Sequence, residues 1–166
     1  ALELPWPVPN GALALGLDPL SAVFASALFA LGLAAAIFGA GYMRTHLRQR
    51  GMGAFVLFFD LLLASMALLL AARQAMLFIV AWEVMTISSF LLVAFEHEEA
   101  SVRSAARTYL VASQLGTAFL FVLFLSLASG AGSLRFDAFP GATAALPPAV
   151  LFGLALVGFG TKAGLV

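Results

Sequence analysis

The sequence predicts an all-α protein, a polytopic transmembrane helical bundle of about five spans. Three observations predict it. Of the 166 residues, 63% are hydrophobic and only 10% charged, where a soluble domain carries about 25% charged residues; the mean hydropathy is +1.09. The apolar residues fall into long runs divided by short polar stretches, and a run of about 20 residues is what a helix needs to cross a hydrocarbon core roughly 30 Å thick. Sustained alternation of apolar and polar residues, the mark of a half-buried strand, is not visible, nor is a repeat of about 20–50 residues.

The remaining composition narrows the function classes. A net charge of zero argues against a nucleic-acid partner. The absence of cysteine excludes disulfides and thiolate metal sites and leaves the redox compartment open. The start, ALELPWPVPNG, lacks the basic region of a signal peptide. With no initiating Met and an apolar run at Val166, the chain is expected to be a piece of a longer polypeptide.

Residues 1–18 are Pro-rich, carry only Glu3 and Asp18 as charges, and are expected as an exposed extracytoplasmic lead-in. Asp18-Pro19 opens the first helix, with Asp as N-cap and Pro at the first helical position. The first span, residues 19–43, has no charge, and Gly32, Gly39 and Gly41 allow close packing. A basic loop with Arg44, Arg48 and Arg50 follows. The second span, residues 54–72, holds one charge, Asp60. A tight Arg73-Gln74 link leads into the third span, residues 74–95, whose one charge is Glu83. After Glu96, His97, Glu98 and Glu99 come Arg103 and Arg107, then the uncharged fourth span, residues 108–128. Residues 129–148 are rich in Gly, Ala and Pro and are expected as an extracytoplasmic loop with Arg135 and Asp137. The fifth span starts near residue 149 and is still running at Lys162, the one lysine of the chain. One side carries Arg44, Arg48, Arg50, Arg103 and Arg107, the other only Arg73 and Arg135. The positive-inside rule therefore puts the start of the chain outside.

Glu83 and Lys162 are the candidate chemistry. Glu83 lies about 13 Å into its span, near the midplane, where a carboxylate costs roughly 2.5–3.5 kcal/mol and needs a cation, a proton or water. Lys162 is crowded by Gly158, Gly160 and Gly164, where backbone can bend or break; its plain alternative is a lysine snorkelling from a helix end. Thr86, at i+3 from Glu83, shares its face, and Ser88 and Ser89 follow. Ser113, Gln114 and Thr117 place polar atoms in the fourth span, either on a water path or between packed helices. Asp60 is either near the interface or a partner of Lys162; counted depth leaves that choice open. The acids at 96–99 with one His lack metal-site spacing and favour the positive end of the next helix instead. The Arg44–Arg50 cluster is a topology signal first and a lipid-headgroup site second. Gly160–Gly164 is a GxxxG, weak alone.

WEVMTISSFLLV from Trp82 and GFGTKAGLV from Gly158 resemble the antiporter-like membrane subunits of respiratory complex I and its relatives; GLDPLSAVF from Gly16 and the GSLRFDAF loop are also similar. Within that superfamily the motifs are most similar to the large membrane subunit of group 4 nickel–iron hydrogenases, the hydrogenase-4 or formate hydrogenlyase type, with Mrp-type Na⁺/H⁺ antiporter subunits as the near alternative. The resemblance implies a fragment of a fold of about fourteen helices with a helix broken at the lysine. It implies that Glu83 and Lys162 pair and separate as protons move, with no cofactor in this subunit. The implied partners are the lipid bilayer, other membrane subunits and a peripheral redox module, in a bacterial or archaeal inner membrane. It implies that this fragment alone is inactive. No role for Asp60 is implied.

Overall fold

A computed structural model of the chain describes residues 2–8, 11–46 and 52–164. Five helices follow one another: α1 (Pro19–His46), α2 (Met52–Ala71), α3 (Ala75–Val93), α4 (Ala100–Ala131) and α5 (Pro148–Ala163). Each packs on its neighbour in sequence. Their senses alternate. Phe55 near the start of α2 meets Phe95 just past α3, Phe78 early in α3 meets Phe124 late in α4, and Tyr109 early in α4 meets Lys162 at the end of α5. Four helices, α1 to α4, are long and apolar enough to cross a membrane, and α5 is a shorter apolar helix. The protein is thus a multi-span membrane bundle.

The helix boundaries follow local chemistry. Asp18 caps α1, its Oδ1 accepting from the Ser21 N–H at 2.7 Å. Pro at the first position opens α5. Gly132 ends α4 and Gly164 ends α5, both left-handed at φ 65° and 76°, a region that costs glycine little. α4 starts at Ala100, ahead of its apolar run, because ASVRSAAR is a good helix sequence though a polar one. α1 continues through His46; residues 47–51, with Arg48 and Arg50, lie outside the described residues, as does the Arg44 side chain.

The core lies between α3 and α4. Ile79, Trp82 and Met85 meet Leu120 and Leu123, flanked by Leu62, Met66 and Leu69 of α2 and by Leu151 and Leu154 of α5. α1 stands at the edge and exposes Leu31, Leu33, Ile37 and Phe38. For a helix in lipid such exposure carries no hydrophobic penalty, because lipid tails are as apolar as the side chains.

The lead-in is not merely an exposed segment. It forms a two-stranded antiparallel hairpin, β1 (Leu2–Val8) and β2 (Gly11–Leu15). The sequence pattern hid it because Pro5 and Pro7 interrupt the alternation, and the register shifts between Pro5 and Val8. Proline is tolerated in an edge strand. A hairpin alone is marginal; this one is tied to the α2–α3 junction. Leu15 bridges Ala72, the Gly16 N–H donates to Ala71 O at 2.8 Å and the Arg73 N–H to Ala14 O at 3.0 Å.

Arg73 and Arg135 complete this end of the bundle. Arg73 donates to Asp18 Oδ2 at 2.9 Å and to Gly16 O at 3.0 Å. Arg135 binds Asp137 at 2.8 Å and also Glu3, while its backbone bridges Gln74. The Ser21 backbone N–H, then the Arg73 guanidinium, hold the Asp18 carboxyl down at about 2. Asp137, then Glu3, push the Arg135 guanidinium up, and Arg135 holds Asp137 below the usual carboxylate range.

Candidate functional site: a lysine cradle between three helices

Lys162 stands on the last turn of α5 and reaches across to both α3 and α4. Its amine donates to Thr86 Oγ1 at 2.9 Å and to the Tyr109 hydroxyl at 2.8 Å. It also faces two aromatic rings, Trp82 at 5.9 Å and Tyr109 at 5.1 Å from their centroids, within cation–π range. The acceptors are themselves oriented. Thr86 Oγ1 donates to Trp82 O at 2.9 Å and Ser89 Oγ to Met85 O at 2.5 Å. The Tyr109 hydroxyl and Ser89 Oγ share a bond of 2.7 Å.

Two glycines let α5 come this close. A Cβ on Gly158 would lie 2.6 Å from Leu120 Cδ2 and 3.2 Å from Gly116 O. A Cβ on Gly116 would overlap Thr161 Oγ1 and lie 3.1 Å from Gly158 O. The glycines read from the sequence as points of backbone freedom therefore serve, at Gly158, as a close helix crossing. Gly164, two residues past the lysine, ends α5 with its N–H bonded to Gly160 O.

Glu83 lies one turn before Thr86 on α3. Its Oε2 accepts from Gln114 Nε2 at 2.9 Å, and its Oε1 is buried with no partner. The Glu83–Lys162 pair is not made in this structure: each charge is held by neutral groups instead. Ion pairs are made elsewhere, by Arg73 with Asp18 and by Arg135 with Glu3 and Asp137. Asp60 is not at this site. It lies exposed on α2, in a groove of about 320 Å³ against α1, with Ala35, Ala36, Gly39 and Phe59. Its helix turn simply faces α1, whereas Lys162 meets α3 and α4.

The other polar candidates divide. Ser88, Ser113 and Thr117 are buried; Thr117 Oγ1 donates within its own helix to Ser113 O at 3.1 Å, and none of the three bonds Lys162 or Glu83. Ser89 joins the cradle through Tyr109. The acids before α4 form a 3₁₀ turn at Ala94–Glu96 and the step to Ala100, closed by Arg103, whose Nη1 donates to His97 O at 2.8 Å and Glu98 O at 2.7 Å. Among the described residues no three His, Cys, Asp or Glu gather into a metal site.

Tyr109 is the cradle residue that sequence reasoning missed. A signal for it existed. The buried positions of α4, Ala106, Ser113, Gly116, Thr117, Leu120 and Leu123, repeat every three to four residues, and Tyr109 falls on that stripe.

Residues 72–166 match the transmembrane family described as NADH:quinone oxidoreductase/Mrp antiporter. The chain is 32% identical over 157 residues to hydrogenase-4 component B of Escherichia coli, covering 93% of this chain and 23% of that one. It is 31% identical over 154 residues to NADH-quinone oxidoreductase subunit L of Mycobacterium tuberculosis, covering 90% and 24%. Among solved structures it superposes on a chain of respiratory complex I from Thermus thermophilus, determined with bound aureothin, with a TM-score of 0.68, 27% identity, and 96% of this chain and 33% of that one covered. The chain spans about a quarter of the length of the relatives it matches. It belongs to the NADH:quinone oxidoreductase/Mrp antiporter transmembrane family.

Proposed function

We propose that this chain is part of a proton-translocating membrane subunit of a complex I-like oxidoreductase or hydrogenase complex, and that Lys162 and Glu83 are its proton-transfer groups. One observation carries this reading. The amine of Lys162 on α5 reaches Thr86, one turn from the Glu83 carboxylate on α3, yet each group is bonded to neutral side chains rather than to the other. A static structural ion pair would be closed, because an isolated buried charge costs several kcal/mol. Here an ammonium would use two of its three donors and the carboxylate leaves Oε1 unpartnered.

The chemistry that follows is a change of distance. An opposite charge within about 4–6 Å favours the charged form of a titratable group, and its withdrawal favours the neutral form. Glu83 moving toward Nζ would favour a proton on the amine; Glu83 moving away would favour passing that proton to a water or the next base, leaving the amine neutral. Electron transfer in attached peripheral subunits would supply the energy, with no redox centre in this subunit. In this reading the end with Arg103 and Arg107 faces the cytoplasm and the hairpin end faces outward, following the arginine counts. The family also takes in Mrp antiporters, and cation/proton exchange with Na⁺ would use the same two residues.

Glu83→Gln in the full-length protein, assembled in its complex, tests the reading. Proton translocation in proteoliposomes is expected to fall while assembly and electron transfer persist. Unchanged translocation would contradict it, as would full coupling in a double variant with Glu83→Lys and Lys162→Glu, which a passive anchor would tolerate.

A further inference from the structure

Both charges of the site are held by the same helix. Tyr109 of α4 accepts from Lys162 at 2.8 Å, and Gln114 of α4 donates to Glu83 at 2.9 Å. The unused capacities are complementary. Glu83 Oε1 is buried and unpartnered, and an ammonium at Lys162 has a third donor beyond Thr86 and Tyr109. Thr86, which Lys162 already touches, is three residues from Glu83, and residues three apart on a helix are about 5–6 Å apart at Cβ. A change of side-chain rotamer would join the two charges.

A Gln amide does not titrate. The Tyr109 hydroxyl shares a bond with Ser89 Oγ, and Ser89 Oγ in turn donates to the Met85 carbonyl, which does not titrate. Thr86 ends in the same way on Trp82 O. The bonds around Lys162 hold its amine in place between α3 and α4.

We propose that α4 is the clamp that keeps Glu83 and Lys162 apart, with Tyr109 and Gln114 as its positioning residues. A displacement of α4 frees both side chains together and lets the pair close. This rests on the reading of Lys162 and Glu83 as proton-transfer groups. The clamp opens only where α4 slides against α5 at the crossing that Gly116 and Gly158 make close, because Tyr109 and Lys162 face each other across it.

The test uses Tyr109→Phe and Gln114→Leu, each in the full-length protein within its assembled complex. Cryo-electron microscopy of either variant is expected to show a Lys162 nitrogen within about 4 Å of a Glu83 oxygen, the range of an ion pair. Proton translocation per electron is expected to fall several-fold with electron transfer retained. Charges that stay apart in both variants would overturn the clamp, whatever translocation does. Lys162→Ala runs beside them: unchanged translocation there would overturn the underlying functional reading, while the structural arm still decides the clamp.

Discussion

Replacing Gly158 with alanine adds one methyl group where α4 and α5 come closest. The new Cβ would stand 2.6 Å from Leu120 Cδ2 and 2.7 Å from Leu120 Cγ, whereas carbon atoms settle at about 3.5–4.0 Å. Leu120 is fully buried and cannot swing aside freely, and Gly116 O, at 3.2 Å, is backbone. The helices must part by roughly 1 Å. Overpacking of this kind costs about 1–3 kcal/mol, and the better helix propensity of alanine returns about 1 kcal/mol. The net destabilisation is therefore small, on the order of 1 kcal/mol. The effect on the cradle is larger. The Lys162–Tyr109 bond of 2.8 Å would stretch well past the limit of about 3.2 Å for such a bond. Gly153 supplies the control: it lies in the same helix with nothing within 4 Å of an added Cβ, so alanine there is expected to be neutral or slightly stabilising. The assay is proton translocation per electron in proteoliposomes, beside the melting temperature of the solubilised full-length complex. The expected result is a clear loss of translocation in Gly158→Ala with a modest loss of stability, and neither in Gly153→Ala. Wild-type translocation in both would refute the close crossing as the basis of the cradle.

Two further outcomes follow from the same contacts. Thr86→Val keeps the shape but removes an acceptor of Lys162; translocation is expected to fall while stability changes by about 1 kcal/mol, and normal translocation would show that Tyr109 suffices. The Asp18 carboxyl, held at about 2 in the folded chain against an ordinary 3.8, contributes stability that is present above the ordinary value and lost as pH falls through it toward 2. Amide exchange at Gly16 and Arg73, corrected for intrinsic rates, should accelerate over that window, and Asp18→Asn should abolish the dependence.

The helical class and the two charged residues were legible because membrane helices declare themselves by length and because a charge in an apolar run stands out. The Asp18 cap and the proline start of α5 were legible from local chemistry alone. Arg73 and Arg135, counted on the same side of the membrane, do meet at one end of the bundle through the Gln74–Arg135 bridge. What the spacing could not carry was side-chain partnership. Long side chains choose among several neighbours by rotamer, so Lys162 on Thr86 and Tyr109 instead of Glu83, and Glu83 on Gln114, depend on how closely α5 crosses α4. The position of Asp60 against α1 depends on helix rotation, which depth counting ignores. The hairpin depends on contacts with residues 71–73, far away in sequence, and no local alternation announces it.

The most direct test of the account is proton translocation by the assembled complex with full-length protein, wild type against Lys162→Ala, with electron transfer measured on the same vesicles. The account predicts that translocation collapses while electron transfer survives. Translocation at the wild-type level would contradict it and leave the lysine cradle a structural feature of the bundle.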